Sequence, residues 1–257
     1  MPTDQSIELK TSIDVARMRK TGRAISSILY RLAGDIRPGT TTYDLASKAE
    51  AYITKSGVVP SLRGYRDFPS TICTSVNHVA VHGIPSDYPL QDGDIVTIDL
   101  TGEMNGWHAD AAWTYIVGSP TADVSRLVRA SWLASRAGIG AATAGARFGD
   151  IGSAIESIAT RYGCSVLDRF VGHGIGRNIH EDPMVLHTGE GGTGSPIVPG
   201  MVFTIEPILS LGKPDVFTLE DGWSMVTCDH SLCAQFEHTI AIFGARTEVL
   251  TCCNVPQ

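Results

Sequence analysis

The segment 92–117, DGDIVTIDLTGEMNGWHADAAWTYIV, reads as a β-hairpin turning near Asn105-Gly106. Strand alternation puts Val96, Ile98 and Leu100 on one face and Thr97 and Asp99 on the other. On the returning strand Asp110 shares a face with His108, Ala112 and Thr114. A turn at Asn105-Gly106 sets Asp99 diagonal to Asp110, whereas a turn at Met104-Asn105 sets them directly opposed; in both registers the two carboxylates share a face. Carboxylates crowded on a sheet backed by apolar side chains repel, and desolvation adds to the cost, so they require a shared proton or a cation. MVFTIEPIL adds Glu206 beside Thr204, and SLCAQFEHTIAI adds Glu237 beside Gln235. Four strands thus carry an acid on a mostly apolar or uncharged sheet, which makes a constellation rather than a solvated outer face.

The loop FVGHGIGRNIHEDP supplies imidazole. Gly172, Gly174 and Gly176 bracket His173 and permit close backbone approach, and His180 follows seven residues after His173. Neither a dinucleotide GxGxxG nor an HExxH zinc pattern is matched. Four carboxylates and one imidazole form a hard, oxygen-rich donor set suited to two divalent ions of the Mn, Fe, Co or Zn kind. Two such ions, about 3.5–4 Å apart, activate water at neutral pH and polarise a carbonyl. The chemistry implied is hydrolysis.

The elements that must position these residues repeat. GTTTYDLASKAEAYITKSG (39–57) aligns with GARFGDIGSAIESIATRYG (145–163) at an offset of 106, with identities at Gly39/Gly145, Asp44/Asp150, Ser47/Ser153, Glu50/Glu156, Thr54/Thr160 and Gly57/Gly163. Each copy has the apolar period of an amphipathic helix ending on glycine, and each follows a longer helical stretch, about 13–32 and 123–142. β-like sequence follows each helix pair, at 71–117 and 164–243. The expectation is an α+β body: one domain over 1–257, with halves at about 12–118 and 119–250 related by a pseudo-twofold axis, helices outside a sheet core and the site between the halves.

Composition narrows the partners. Twenty Lys+Arg against 27 Asp+Glu give a net charge of −7, which argues against nucleic acid as a partner. No run approaches the roughly 20 apolar residues that span a bilayer, and the start MPTDQSIELKTS lacks a secretory pattern, so the expected location is cytoplasmic with reduced thiols. Cys228, His230 and Cys233 lie close enough to suggest a zinc knuckle, but no fourth ligand at finger spacing accompanies them. Arg17, Arg19, Lys20 and Arg23 read as a solvated helix face rather than a ribosome contact, and 251–257, with Cys252-Cys253, as a frayed end.

NHVAVHGIP (77–85), DGDIVTIDL (92–100), GWHAD (106–110), GHGIGRNIHEDP (172–183), FTIEP (203–207) and QFEHT (235–239) together resemble the methionine aminopeptidases in their bacterial type I form, M24-like metallopeptidases of pita-bread fold. The resemblance runs through nearly the whole chain. It implies that Asp99, Asp110, His173, Glu206 and Glu237 hold two divalent ions (Co, Mn, Fe or Zn), with Asp110 and Glu237 bridging. It further implies that Glu206 serves as general base, and that His82 and His180 contact the scissile amide and the substrate carbonyl. Tyr65, Phe68, Cys73 and Trp223 would line the pocket for the methionine side chain. Ile179 stands where many relatives carry an aromatic residue, which loosens that wall, and Ser61 where many carry cysteine at the rim. The implied activity is removal of the initiator methionine from nascent chains when the second residue is small, by a monomer; the Met1-Pro2 start fits that rule.

Rivals are a dinuclear phosphoesterase, disfavoured because no basic cluster accompanies the acids; an inactive pita-bread binding protein, expected to have lost ligands; and a prolidase or aminopeptidase P-like peptidase. The last carries an additional N-terminal domain for which 257 residues leave no room. Only 30 residues separate Glu206 from Glu237, against the long insertion of the type II enzymes.

Overall fold

In the computed structural model, which describes residues 7–244 and 246–252, helices form where the apolar period places them. They are α1 (Ser12–Ala33), α2 (Thr42–Ser56), α3 (Ala122–Ala141) and α4 (Phe148–Tyr162). Thr11 with Asp14 and Thr41 with Asp44 close reciprocal capping boxes, which satisfy first-turn N–H groups that have no partner inside a helix. α2 and α4 stop at Gly57 and Gly163, with φ of 72° and 63°, a left-handed conformation that glycine adopts without strain.

The repeat has a structural counterpart. Gly39 N donates to Leu90 O at 2.8 Å, and Gly145 N to Ile197 O at 2.9 Å. Isolated bridges join Thr41 to Pro89 and Arg147 to Pro196. Asp44 accepts from the backbone N of Thr41, and Asp150 from that of Arg147. The same local sequence therefore fastens each helix pair to its half in the same way.

Among the described residues all strand pairing is antiparallel. In the first half Ile95–Met104 pairs with Trp107–Ile116 on one side and with Cys73–Val76 and Val59–Pro60 on the other. In the second, Val202–Ile205 lies between His238–Phe243 and Gly172–Gly174, with Arg246–Val249 and Glu181–Val185 outside them. Val79–Val81 leaves the first half to pair with Met225–Thr227 of the second. The helices pack on the outer sheet faces, with Ile25, Leu29, Leu45 and Ile53 against Val96, Ile98 and Leu100 in one apolar cluster and Leu127, Ile151 and Ile155 against Phe203 and Ile205 in another. The result is an α+β body of two helix-helix-sheet halves.

Three details differ from the sequence expectation or decide between its alternatives. Met104 pairs with Trp107, so the turn is Asn105-Gly106, both at positive φ as a two-residue type I′ loop demands, and Asp99 is diagonal to Asp110. Glu206 and Glu237 do not sit within ladders: Glu206 follows Val202–Ile205 and precedes Pro207, which has no N–H to donate, and Glu237 falls between Cys233–Gln235 and His238–Phe243. Thr251 is not frayed. It is buried, its hydroxyl bonds to His238 Nδ1 at 3.0 Å and accepts from Thr239 N at 3.1 Å, and it lies in the turn that follows a strand, Arg246–Val249, absent from the sequence reading. Cys253 and the Met1-Pro2 start lie outside the described residues. On the basic face of α1, Arg19 is paired with Glu248 at 2.9 Å. No helix among the described residues is long and apolar enough to cross a membrane.

Gly22 of α1 lies against the segment leading into Thr251, where an added Cβ would fall 2.4 Å from Leu250 O. Gly140 of α3 has nothing within 4 Å of such an atom. Gly22→Ala therefore destabilises by about 1–3 kcal/mol through overpacking, whereas Gly140→Ala stabilises by about 0.4–1 kcal/mol through the unfolded chain. Urea titration of both variants tests the opposite signs.

Candidate active site

Asp99 and Asp110 project inward from the hairpin because Ile98, Leu100, Ala109 and Ala111, their alternates, are claimed by the helix-side cluster. Thr101 sits directly opposite Asp110, and its hydroxyl donates to Asp110 Oδ2 at 2.8 Å. From the second half, Thr239 accepts from Asp110 N at 2.9 Å and donates to Asp110 O at 2.8 Å, while Glu237 N donates to Ala112 O at 2.7 Å. These bonds cross the seam and bring Glu237 up against the hairpin's carboxylates.

His173 is set by the glycines around it. A Cβ on Gly172 would lie 2.3 Å from Thr204 O and one on Gly174 2.1 Å from Asp182 O, so only glycine lets this short strand lie so close to its neighbours. Nδ1 of His173 donates to Gly174 O at 3.0 Å, which leaves Nε2 free and directed toward Glu206, 3.7 Å from its Oε1. Thr204 uses one hydroxyl twice, accepting from His173 N at 3.0 Å and donating to Glu206 Oε1 at 2.7 Å. Glu206 N donates to Nε2 of His187, whose Nδ1 donates to Phe170 O, both at 3.2 Å, so His187 is a neutral ring with its proton on Nδ1. Burial pushes His187 down to about 4.

Ligand atoms of Asp110, His173 and Glu237 all lie within 4.8 Å of one another. Asp99 and Glu206 face the same space. Burial first, then neighbouring carboxylates, holds Asp99 and Glu237 well above the usual carboxylate range, and burial raises Glu206 to about 8. Asp99 Oδ1, Asp110 Oδ1 and Glu237 Oε1 are buried with no hydrogen-bond partner. Buried, crowded and unsatisfied carboxylate oxygens beside a free imidazole nitrogen fit divalent cations, which would neutralise the charge and take up the free lone pairs.

A cavity of about 330 Å³ runs from these acids outward, and all eleven residues expected to act here line it, as does Ile179. Phe68 meets Trp223 edge-on at 5.1 Å, Trp223 meets His82 at 5.8 Å, and Cys73, opposite Asp99 in its ladder, closes the floor. Burial keeps His82 below its ordinary value and takes His180 to about 4, so both rings are neutral at pH 7. Tyr65 Oη lies 2.9 Å from His180 Nδ1. His82 sits at φ 56°, an unusual conformation for a non-glycine residue, and a Cβ on Gly83 beside it would strike Thr74 O.

Ser61, expected at the rim, is not part of the lining. Residues outside the sequence expectation include Thr101, Thr239 and His187, and the wall residues Leu62, Arg66 and Phe170. The threonines carried a usable signal, because each stands two residues after an acid, on the same face of extended chain. His187 carried none. The zinc-knuckle spacing is not realised: Cys233 is buried, its thiol donates to Asn77 O at 3.4 Å, and burial pushes it up to about 12.

Comparisons with known proteins identify the family and the fold. A family model described as metallopeptidase family M24 matches residues 16–243. A methionine aminopeptidase from Clostridium perfringens is 42% identical over 245 residues, 95% of this chain and 98% of that one. Methionine aminopeptidase 1 from Bacillus subtilis is 41% identical over 94% of this chain and 98% of its own length. The crystal structure of methionine aminopeptidase from Rickettsia prowazekii superposes with a TM-score of 0.94 at 40% identity, covering 96% of this chain and all of that one.

The unpartnered oxygens set an expectation for metal binding. Mn²⁺ at about a hundredfold over its dissociation constant should stabilise the chelated protein by about 2.7 kcal/mol, a rise in Tm of about 5–10 °C at this chain length. Asp110→Asn should lose most of that rise without being less stable than wild type in the metal-free state, because one of the repelling carboxylates is gone. Calorimetry of both proteins with and without chelator decides it; an undiminished rise in the variant would place the ion elsewhere.

Proposed function

We propose, on the premise that the chain belongs to metallopeptidase family M24 and to its methionine aminopeptidases, that it removes the N-terminal methionine from peptides and nascent proteins whose second residue is small. The observation that carries this reading is a single cavity that joins an aromatic, thiol-floored end to a cluster of crowded carboxylates. The pita-bread fold follows from the match to solved methionine aminopeptidases.

In this reading Asp99, Asp110, His173, Glu206 and Glu237 would hold two divalent ions, with Asp110 and Glu237 at the centre of the set. When bound, such ions activate water at neutral pH and polarise a carbonyl. The chain's own groups do the rest. Phe68, Tyr65 and Trp223 enclose the flexible thioether, for which aromatic edges are favourable partners, and Cys73 limits its depth. Glu206 takes the proton of the attacking water and returns it to the leaving amine. Its Oε1 is fixed by the Thr204 hydroxyl and its backbone by His187, so the carboxylate arrives already oriented. With Tyr65 Oη donating to Nδ1, His180 carries its proton on Nε2, a neutral donor for the substrate carbonyl oxygen as charge develops there. His82, edge-on to Trp223 and lining the cavity, would meet the scissile amide in this reading. One domain performs the reaction, since both halves contribute ligands, and the substrate partners are free peptide N-termini rather than nucleic acid.

The deciding experiment is release of free methionine from Met-Ala-Ser, with Leu-Ala-Ser and Xaa-Pro peptides as controls, on chelated enzyme with Mn²⁺, Co²⁺, Fe²⁺ or Zn²⁺ restored. Metal-dependent cleavage confined to Met before a small residue is expected. Turnover of Xaa-Pro substrates alone would assign the chain a prolidase-like activity instead. Glu206→Gln should lower kcat by about 10²–10⁴, the usual worth of a positioned acid–base group.

A further inference from the structure

His78 and His230 play no part in the cavity described above, yet they face each other across the seam between the halves. Their ring centroids are 5.1 Å apart with planes at 67°. Among the described residues no ring nitrogen of either is hydrogen-bonded to protein, so all four nitrogens are free to find another partner.

Two imidazoles on one tetrahedral ion, at metal–nitrogen distances of about 2.0–2.1 Å, have centroids about 5 Å apart. The observed separation matches that value. The backbone under both rings is fixed. Thr227 N donates to His78 O at 3.1 Å, His230 N donates to Thr227 O at 3.2 Å, and Cys233 N donates to Asn77 O at 2.9 Å, which ties the two turns into one unit. His230 is held at φ 58°, the left-handed region that a β-carbon disfavours, in a turn closed by the Thr227 hydroxyl on Ser231 O at 2.9 Å. Burial and then the neighbouring His230 keep His78 below its ordinary value, so at neutral pH it is a ligand rather than a cation.

We propose that His78 and His230 form a second, surface metal site for a borderline divalent ion, Zn²⁺, Ni²⁺ or Cu²⁺, distinct from the buried carboxylate centre. No third His, Cys or carboxylate among the described residues comes within ligand range of the pair, so water completes the coordination. Imidazole alone selects these ions over Mn²⁺ or Mg²⁺, which prefer oxygen. The ion fastens the pairing of Val79–Val81 with Met225–Thr227, and these strands lead to His82 and follow Trp223. It therefore clips together two walls of the substrate cavity from outside.

The test is Zn²⁺ equilibrium dialysis on the full chain, comparing wild type with His78→Asn and His230→Asn. Whatever zinc enters the buried centre is common to all three, so wild type should bind one more ion per chain than either variant. Both variants should keep wild-type turnover of Met-Ala-Ser with Mn²⁺, which verifies folding. Independently of any variant, substoichiometric Cu²⁺ added to the Mn²⁺-free protein should broaden the ring proton resonances of His78 and His230 together. Equal zinc stoichiometry and affinity in all three proteins, or sharp His78 and His230 signals while other histidines broaden, would overturn the proposal.

Discussion

The structure turns on the forced proximity of like charges out of water. Asp99, Asp110, Glu206 and Glu237 meet in a space where burial alone raises each of them, and three of their oxygens have no partner from the chain. Such an arrangement persists only if stronger forces elsewhere fix the backbone, because removing water from a carboxylate costs several kcal/mol after relaxation. Those forces are the two helix-covered sheets, each with its own apolar cluster. The acids lie where the inner faces of the two sheets meet, so no local relaxation of one strand can separate them. A divalent cation fits such a cluster, because it would supply the opposite charge the carboxylates lack.

The duplicated architecture explains where the acids fall. Leu90 and Ile197, which hold the two helix pairs through equivalent backbone bonds, are 107 residues apart, and so are Asp99 and Glu206. One acid from each half therefore enters at an equivalent place. Threonines supply the precision: Thr101, Thr204 and Thr239 each stand two residues from an acid and spend their hydroxyls on a carboxylate of the cluster or on the backbone beneath a residue of the site. A β-branched residue suits the strand and is stiff at χ1, so the hydroxyl is aimed before any ion arrives.

Much of this was legible in the sequence because it rests on local rules. The helix ends at Gly57 and Gly163, the glycine repeat and the shared face of Asp99 and Asp110 all follow from periods of 3.6 and 2 and from turn chemistry. The choice between two hairpin registers did not, since both keep the acids on one face; it is decided by Asn105 and Gly106 both reaching positive φ. Pairings distant in sequence were beyond reach for the same reason. His187 beneath Glu206, the Thr251 hydroxyl on His238 and the approach of His78 to His230 depend on how the two halves dock, and no short-range pattern encodes docking.

The same seam presents two donor sets of opposite character. Inside, carboxylates in a low-dielectric pocket supply negative charge, and an ion entering there gains from neutralising their mutual repulsion. Outside, two imidazoles supply lone pairs but no carboxylate charge, so an ion bound to His78 and His230 keeps its own charge and must share it with solvent. Binding at the outer position therefore relies on the strength of the metal–nitrogen bond, which follows the Irving–Williams order, whereas the inner position relies chiefly on electrostatics that any divalent ion can satisfy. Selectivity between ions would follow from this division: the inner carboxylates accept hard cations, and the outer pair distinguishes among softer ones.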